Sequence, residues 1–350
     1  MKRILTCLIG ITLGRAPNFI KTFLVSWLAE PNIRMYEGSD GNGPERFESV
    51  FFELRTRCNS QCSFCAASIQ NETRFDNEMS FEVFKKGIDD LQKMGYSGRV
   101  AFHITSEPLL SKNLFSFVEH ARTKLPRCWL QLLTNGRKLN LANAGKLLNA
   151  GINEITVNWY TDEPSKPIPE KFAKIKSEVI AKRYPLENIL PGHGPGVDEY
   201  KKLFRYNVVK RDISETLSNQ ASSSPNKKEE ITNQVLGFCH SPMTDLHITT
   251  DGSVSKCSKD VHFKDVMGNI MQQSITDVWG STRFLEVRKM LLNDDRSGNP
   301  MCRNCDYFGI KHSSYLRISG SKKSSSYFLR SLIFSIMRNA VYSDNKRPTG

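Results

Sequence analysis

Cys58-Asn59-Ser60-Gln61-Cys62-Ser63-Phe64-Cys65 sets three cysteines at spacings of four and three residues. Three thiols this close cannot pair among themselves without leaving one over, and grouped thiolates are the usual ligands of iron-sulfur clusters. Three ligands shared among four irons leave one iron open, so a small molecule can bind there directly. A zinc site would need a fourth ligand; the next His or Cys after Cys65 is His103.

Working outward, Ser49 to Arg55 reads as a strand that delivers the cysteines into the loop behind it. Ser80 can cap a helix with Phe81, Phe84, Ile88 and Leu91 on one face and Gly95 at its end. A second strand, Arg99 to Ile104, runs into Thr105-Ser106-Glu107-Pro108. A helix from Leu114 to Ala121 leads to the strand Cys128 to Leu133 and the turn Thr134-Asn135-Gly136. A helix lined by Leu141, Ala144, Leu147 and Leu148 stops at Gly151, before the strand Glu154 to Trp159. Strand and helix alternating four times predict a parallel sheet with right-handed crossovers, closed or partly closed as a barrel. A helix over 171–183, a fifth unit with an inserted loop, and a sixth strand over 204–210 are expected to follow.

The cysteine motif, with an aromatic before its last Cys, resembles the radical S-adenosylmethionine (SAM) superfamily. That resemblance implies an α/β fold, a partial (β/α)6 TIM-like barrel. It also implies that the open iron chelates SAM and that the reduced cluster cleaves it to a 5′-deoxyadenosyl radical, which abstracts hydrogen from substrate. Carried onto matching positions, it implies SAM contacts at Phe64, Ser106, Glu107, Pro108, Thr134, Asn135 and Asn158. Where relatives have a Gly-Gly-Glu-Pro motif, Thr105 and Ser106 stand in place of the glycines. A general base is not identified; Glu53 and His103 lie on strands that could face the barrel centre, where packed residues are the commoner case.

Cys239, Cys257, Cys302 and Cys305 form a second set, and His247 to Lys256 reads as a hairpin turning at Asp251-Gly252. The thiolates alone fit either a cluster or a four-cysteine zinc site. Cys, hairpin, Cys, the segment Met267-Gly268-Asn269-Ile270, a helix bearing Phe284, Leu285, Met290 and Leu291, then Cys-x2-Cys resembles the SPASM/Twitch extension. This resemblance implies a small C-terminal auxiliary-cluster domain, a β-hairpin plus a helix. It holds one fully ligated cluster that serves as an electron acceptor. The implied complement is two [4Fe-4S] clusters and SAM. The metal ligands are then Cys58, Cys62, Cys65, Cys239, Cys257, Cys302 and Cys305.

The expected domains are an N-terminal amphipathic extension (1–43), the barrel (44–235), the auxiliary domain (236–318) and a basic amphipathic tail (319–350). Ser214 to Asn226 reads as an interdomain linker, or as the counterpart of an Asn-Arg-Ala-Gly stretch in which Gln220 replaces Arg. Lys2 and Arg3 before the apolar run Ile4 to Leu13 outline a short signal peptide or an amphipathic helix. The apolar run Phe328 to Met337 with basic flanks suits a membrane surface, a partner helix or the barrel wall.

Across 350 residues, 39% hydrophobic and 24% charged residues describe an ordinary globular composition. The net charge of +13 is spread without a basic stripe, which argues against nucleic acid. Seven of nine cysteines fall in the two sets, leaving Cys7 and Cys128 as small hydrophobes and implying a reduced interior. The expected location is cytoplasmic, with peripheral membrane contact through the amphipathic termini as one option. The expected activity is dehydrogenase-like oxidation of a polar small molecule such as a sugar, cyclitol or polysaccharide precursor. Related enzymes epimerise sugars or modify peptides, so a peptide substrate is the alternative, and a non-catalytic metal scaffold is a third reading. An electron donor such as flavodoxin or ferredoxin is implied.

Overall fold

The computed structural model describes residues 47–163, 165–182, 184–185, 203–212, 218–226, 239–293 and 295–307. The two amphipathic termini, Cys7 and the Pro-rich 186–202 segment therefore lie outside the described residues. Among the described residues, no helix is long and apolar enough to cross a membrane.

The sheet begins with β1 (Ser49–Phe52), followed by helix α1 (Phe81–Lys93). Ser80 accepts the Val83 N–H as N-cap, and Gly95, at φ +62°, lies just beyond the C-terminal end. Phe84, Ile88 and Leu91 are buried as the periodicity requires, whereas Phe81 is 45% exposed. Gly87 faces Phe52 so closely that a Cβ there would sit 2.8 Å from the ring. It lets the helix close down on the sheet.

The repeat continues through β2 (Arg99–Ala101), α2 (Leu114–Lys124), β3 (Trp129–Thr134), α3 (Leu141–Asn149), β4 (Glu154–Thr161) and α4 (Glu170–Lys182). Neighbouring strands among β1 to β4 are parallel. Along β1, Val50 and Phe52 enter the core under the helices. Strand alternation turns Phe51 to the opposite, concave face.

Three expectations are corrected. Strands β1 and β2 stop at Phe52 and Ala101, so Glu53, Arg55 and His103 lie past the strand ends. Strand β4 runs on to Thr161, which places Asn158 inside the strand, opposite Val209. The segment expected as a sixth strand, β6 (Leu203–Asp212), pairs directly with β4, while β5 (Tyr184–Pro185) is a two-residue edge beyond it. Eight paired positions between β4 and β6 explain the outcome: the long strand takes the long partner, and a two-residue strand ending in proline can serve only an edge.

The four-residue helix α5 (Ser241–Thr244) leads into β7 (Asp245–Ile248), β8 (Ser253–Ser255) and β9 (Val266–Asn269). The hairpin turns at Gly252, φ +84°, as its Asp-Gly pair requires. It does not form a sheet of its own, because β7 is parallel to β1 and one nine-stranded sheet runs β5-β6-β4-β3-β2-β1-β7-β8-β9. Helices α6 (Ile275–Trp279), α7 (Thr282–Leu292) and α8 (Pro300–Arg303) cover this end. On α7 the buried face includes Arg288 beside Phe284 and Leu291, with its guanidinium 3.8 Å from the Trp279 ring centroid. The result is an open parallel barrel extended by an antiparallel ribbon.

Candidate active site

The first cysteine loop leaves the end of β1 and folds into short turns: Cys65 N–H donates to Cys62 O at 3.1 Å and Ile69 N–H to Ser60 O at 3.0 Å. The three sulfurs are close enough to act on one another. Burial, reinforced by the neighbouring Cys65 and Cys58, pushes the Cys62 thiol up to about 12, and burial pushes Cys65 up to about 11. Thiols this hard to ionise are poor free nucleophiles, and bound metal is what stabilises their thiolates.

Glu107 braces the floor of this loop. It is 1% exposed. Its Oε1 accepts from Thr134 Oγ1 at 2.6 Å and Leu109 N at 3.1 Å, while Oε2 accepts from Asn135 N at 2.8 Å. The carboxylate therefore ties the loop after β2 to the end of β3, and its oxygens face protein donors. Pro108 starts the 3-10 turn that Glu107 caps, and Ser106 lies half-buried beside it. Asn135 Nδ2 reaches Cys58 Sγ at 3.7 Å and Asn59 Oδ1 at 2.8 Å. Gly136, φ +74°, has no room for a Cβ, which would meet Val157 at 2.6 Å.

Phe64 is buried, with its ring 5.5 Å from Tyr160 on β4. Alternation places Asn158 on the same strand face as Tyr160. Phe64, Thr134, Asn135 and Asn158 thus share one end of the sheet with the three cysteines.

The substitution of Thr105 for glycine has a local reason. Thr105 Oγ1 donates to Glu53 Oε1 at 2.5 Å, and Arg74 Nη1 donates to Glu53 Oε2 at 2.8 Å. Arg74 also holds Glu72 at 2.7 Å. Glu53 is fully buried within this network. His103 and His247 flank Phe51 on the concave face. Burial keeps both imidazoles neutral, lowering His103 to about 3 and His247 to about 4.

The second set converges on a cavity of about 100 Å³ lined by Cys239, Cys257, Cys302 and Cys305. Burial raises the thiols of Cys239, Cys257 and Cys302, Cys302 to about 12. Among the described residues, no three His, Cys, Asp or Glu side chains are gathered tightly enough to hold a single metal ion. Four converging thiols are a donor set that either a zinc ion or an iron-sulfur cluster accepts.

The Ser214 to Asn226 stretch, where described, joins the two sites. Ser224 Oγ donates to Phe64 O at 2.7 Å, and Gln220 Oε1 accepts the Ala66 N–H at 3.1 Å. Asn219 pairs with Asp306 in both directions and donates to Asn304 O at 2.6 Å. Gln220, Ala221 and Ser222 all have positive φ, a strained left-handed turn that no glycine relieves. Sequence composition alone gave only a polar loop here. Arg137, whose Nε donates to Ser60 Oγ at 3.1 Å, was also missed, since nothing in an isolated Arg marks it.

Comparison with known proteins agrees with this arrangement. Residues 53–190 match the radical SAM superfamily, and residues 239–306 match the SPASM iron-sulfur cluster-binding domain. The S-adenosyl-L-methionine-dependent 2-deoxy-scyllo-inosamine dehydrogenase of Niallia circulans is 27% identical over 266 residues, which is 76% of this chain and 95% of that protein. The Fe-coproporphyrin III synthase of Methanosarcina barkeri is 32% identical over 109 residues, only 26% of its length. The crystal structure of BtrN in complex with AdoMet and 2-DOIA superposes with a TM-score of 0.58 at 28% identity, covering 76% of this chain and 95% of that one. Each matched span contains cysteines that the fold had already gathered, and on these grounds the chain belongs to the radical SAM superfamily, with a SPASM-type iron-sulfur domain following its barrel.

Proposed function

We propose that this enzyme oxidises an alcohol of a polar small molecule, a cyclitol or sugar, to a ketone. The observation that carries the reading is the second site, where four thiols surround one cavity. Four protein ligands occupy every iron of a cluster, which equips it to take up an electron and leaves no place for substrate. The similar Niallia protein, covered over 95% of its length, is by name a dehydrogenase of an aminocyclitol.

When bound, SAM with the first cluster supplies a 5′-deoxyadenosyl radical, and the second cluster supplies an electron acceptor. The balance is that of a two-electron oxidation. The carbinol carbon gives one hydrogen atom to the radical, its hydroxyl gives a proton to a base, and one further electron leaves for the second site.

The residues of this chain divide the work. Cys58, Cys62 and Cys65 would hold the first cluster, three ligands that leave a place for SAM, and Cys239, Cys257, Cys302 and Cys305 would hold the second. Asn135 reaches the Cys58 sulfur, Phe64 and Asn158 would border SAM, and Glu107, Thr134, Ser106 and Pro108 would shape the loop that receives it. The boundaries 44–235 and 236–318 are our assignment of the two units. An acidic electron carrier such as flavodoxin or ferredoxin suits a chain of net charge +13.

The test is anaerobic incubation of the reconstituted full chain with SAM, reductant and a panel of aminocyclitols, sugars and short peptides. The expected result is 5′-deoxyadenosine formed in step with a cyclitol or sugar product lighter by two hydrogens. Turnover confined to peptides would overturn the substrate class.

A further inference from the structure

We infer that the second cysteine site is a cationic cradle in which Lys256 raises the affinity for an electron. This rests on the reading that the site holds an electron-accepting cluster. Lys256 follows β8 and precedes Cys257, and its side chain is 1% exposed although it carries a charge. It lines the same cavity as the four cysteines. A buried ammonium is costly unless paired. Asp265 supplies the pair, Asn299 Oδ1 accepts from Nζ at 3.2 Å, and Met301 Sδ lies at 3.8 Å.

The pairing does not cancel the charge. Asp265 is shared with Arg283, whose Nη2 lies 2.8 Å from Oδ1, so the carboxylate is not committed to Lys256 alone, although Arg283 itself is solvent-exposed and adds little charge to the cavity. Lys259 and Arg296 add two more cations to the cavity wall, against one carboxylate, Asp245. Arg296 is 4% exposed and donates to Cys305 O at 3.0 Å, which fixes its charge beside a ligand. Asp260 is the other buried acid nearby, and it faces the hairpin, accepting from the N–H groups of Lys264 and Asp265 at 2.8 Å.

Four thiolates give a bound cluster a net negative charge that grows on reduction. Cluster potentials follow local charge, hydrogen bonding and exposure, so fixed cations in a dry wall favour the reduced state. At the first site the carboxyls of Glu107 and Glu72 act on the cysteines alongside the guanidinium of Arg137, and Glu72 is itself paired with Arg74 at 2.7 Å, so no comparable excess of cations faces the sulfurs. The wall thereby biases a one-electron transfer from the deprotonated substrate radical toward the second site; the substrate is oxidised, the bound cluster reduced, and no atom moves.

Lys256 also touches Asn299, which caps α8 and accepts the Cys302 N–H at 3.2 Å, so geometry and charge must be separated. The experiment is an anaerobic redox titration followed by electron paramagnetic resonance, on the reconstituted full chain and its Lys256→Met, Lys256→Arg and Lys259→Gln variants. The signal that SAM perturbs marks the first cluster. Expected is a shift of at least tenfold against reduction of the second cluster in Lys256→Met, about 59 mV for one electron. The first cluster should be unmoved, Lys256→Arg should restore the parent value, and Lys259→Gln, at a half-buried position, should show a smaller shift of the same sign. An unchanged second potential in Lys256→Met with full iron, or equal shifts of both clusters, would overturn the inference while leaving the acceptor reading intact. If Lys256→Met fails to bind iron, Lys259→Gln decides, and no shift there counts against it. Stoichiometric zinc in the parent second site would instead remove the acceptor reading beneath it.

Discussion

The two cysteine sites lie on one continuous sheet and differ in almost every physical respect. The first is a loop at a parallel strand end, with three thiols among acids and bases that pair with one another, as Glu72 does with Arg74. The second is a cavity at the antiparallel end, with four thiols and a wall carrying three cations against one carboxylate. Three ligands suit chemistry on a bound small molecule; four suit electron storage. On this reading ligand count and local charge, more than cluster type, divide the labour. The Asn219 to Ser224 turn is hydrogen-bonded to both sides.

The largest expected effect separates them outright. Cys58→Ala should abolish 5′-deoxyadenosine formation and remove about half of roughly eight irons per chain. The second cluster's spectrum should survive. The reverse change, Cys257→Ser, should leave SAM cleavage measurable while lowering ketone formed per 5′-deoxyadenosine by about a hundredfold or more, since the electron has no outlet. Loss of both activities together would mean that the sites are not separable.

At the seam, His247 on β7 stacks on Phe51 of β1 at 4.8 Å. Burial lowers its folded-state pKa to about 4 from 6.5. Between these values the unfolded chain takes up a proton and the folded chain does not. Stability is therefore full above pH 6.5 and is lost as pH falls toward 4, by about 3 kcal/mol for this group. His247→Phe should remove about one proton from the acid dependence of the urea midpoint; an unchanged slope would show that the seam does not carry it.

Glu107→Gln replaces a carboxylate serving three donors by an amide that must turn its NH2 toward one of them. A loss of about 1–3 kcal/mol in urea unfolding and weaker SAM binding are expected, from one buried donor left unmatched. Smallest is Gln220→Ala. It leaves the Ala66 N–H without its acceptor, for about 1 kcal/mol of stability and a few-fold weaker SAM binding, with no change in iron content.

Much of this was legible in the sequence because it rests on local rules. Spacing announced both cysteine sets, and caps and periodicity placed α1, α3 and the hairpin at Ser80, Gly151 and Asp251-Gly252. What was not legible depends on partners distant along the chain. The pairing of β6 with β4 follows from strand length and a proline edge, not from order in sequence. The joining of β7 to β1 is likewise a tertiary choice. Thr105 looked like a damaged cofactor motif until Glu53 and Arg74 gave its hydroxyl a partner. Lys256 closes the hairpin stretch in sequence, and only Asp265 and the cavity wall reveal its burial.

The ligand counts require that a bound first cluster keep an iron open and that a bound second cluster not. Electron paramagnetic resonance of the reduced, fully loaded chain with and without SAM, alongside iron and sulfide content, separates the two. Two clusters are predicted, with about eight irons in all, SAM altering one signal and leaving the other untouched. Two signals indifferent to SAM, or both altered alike, would contradict this division.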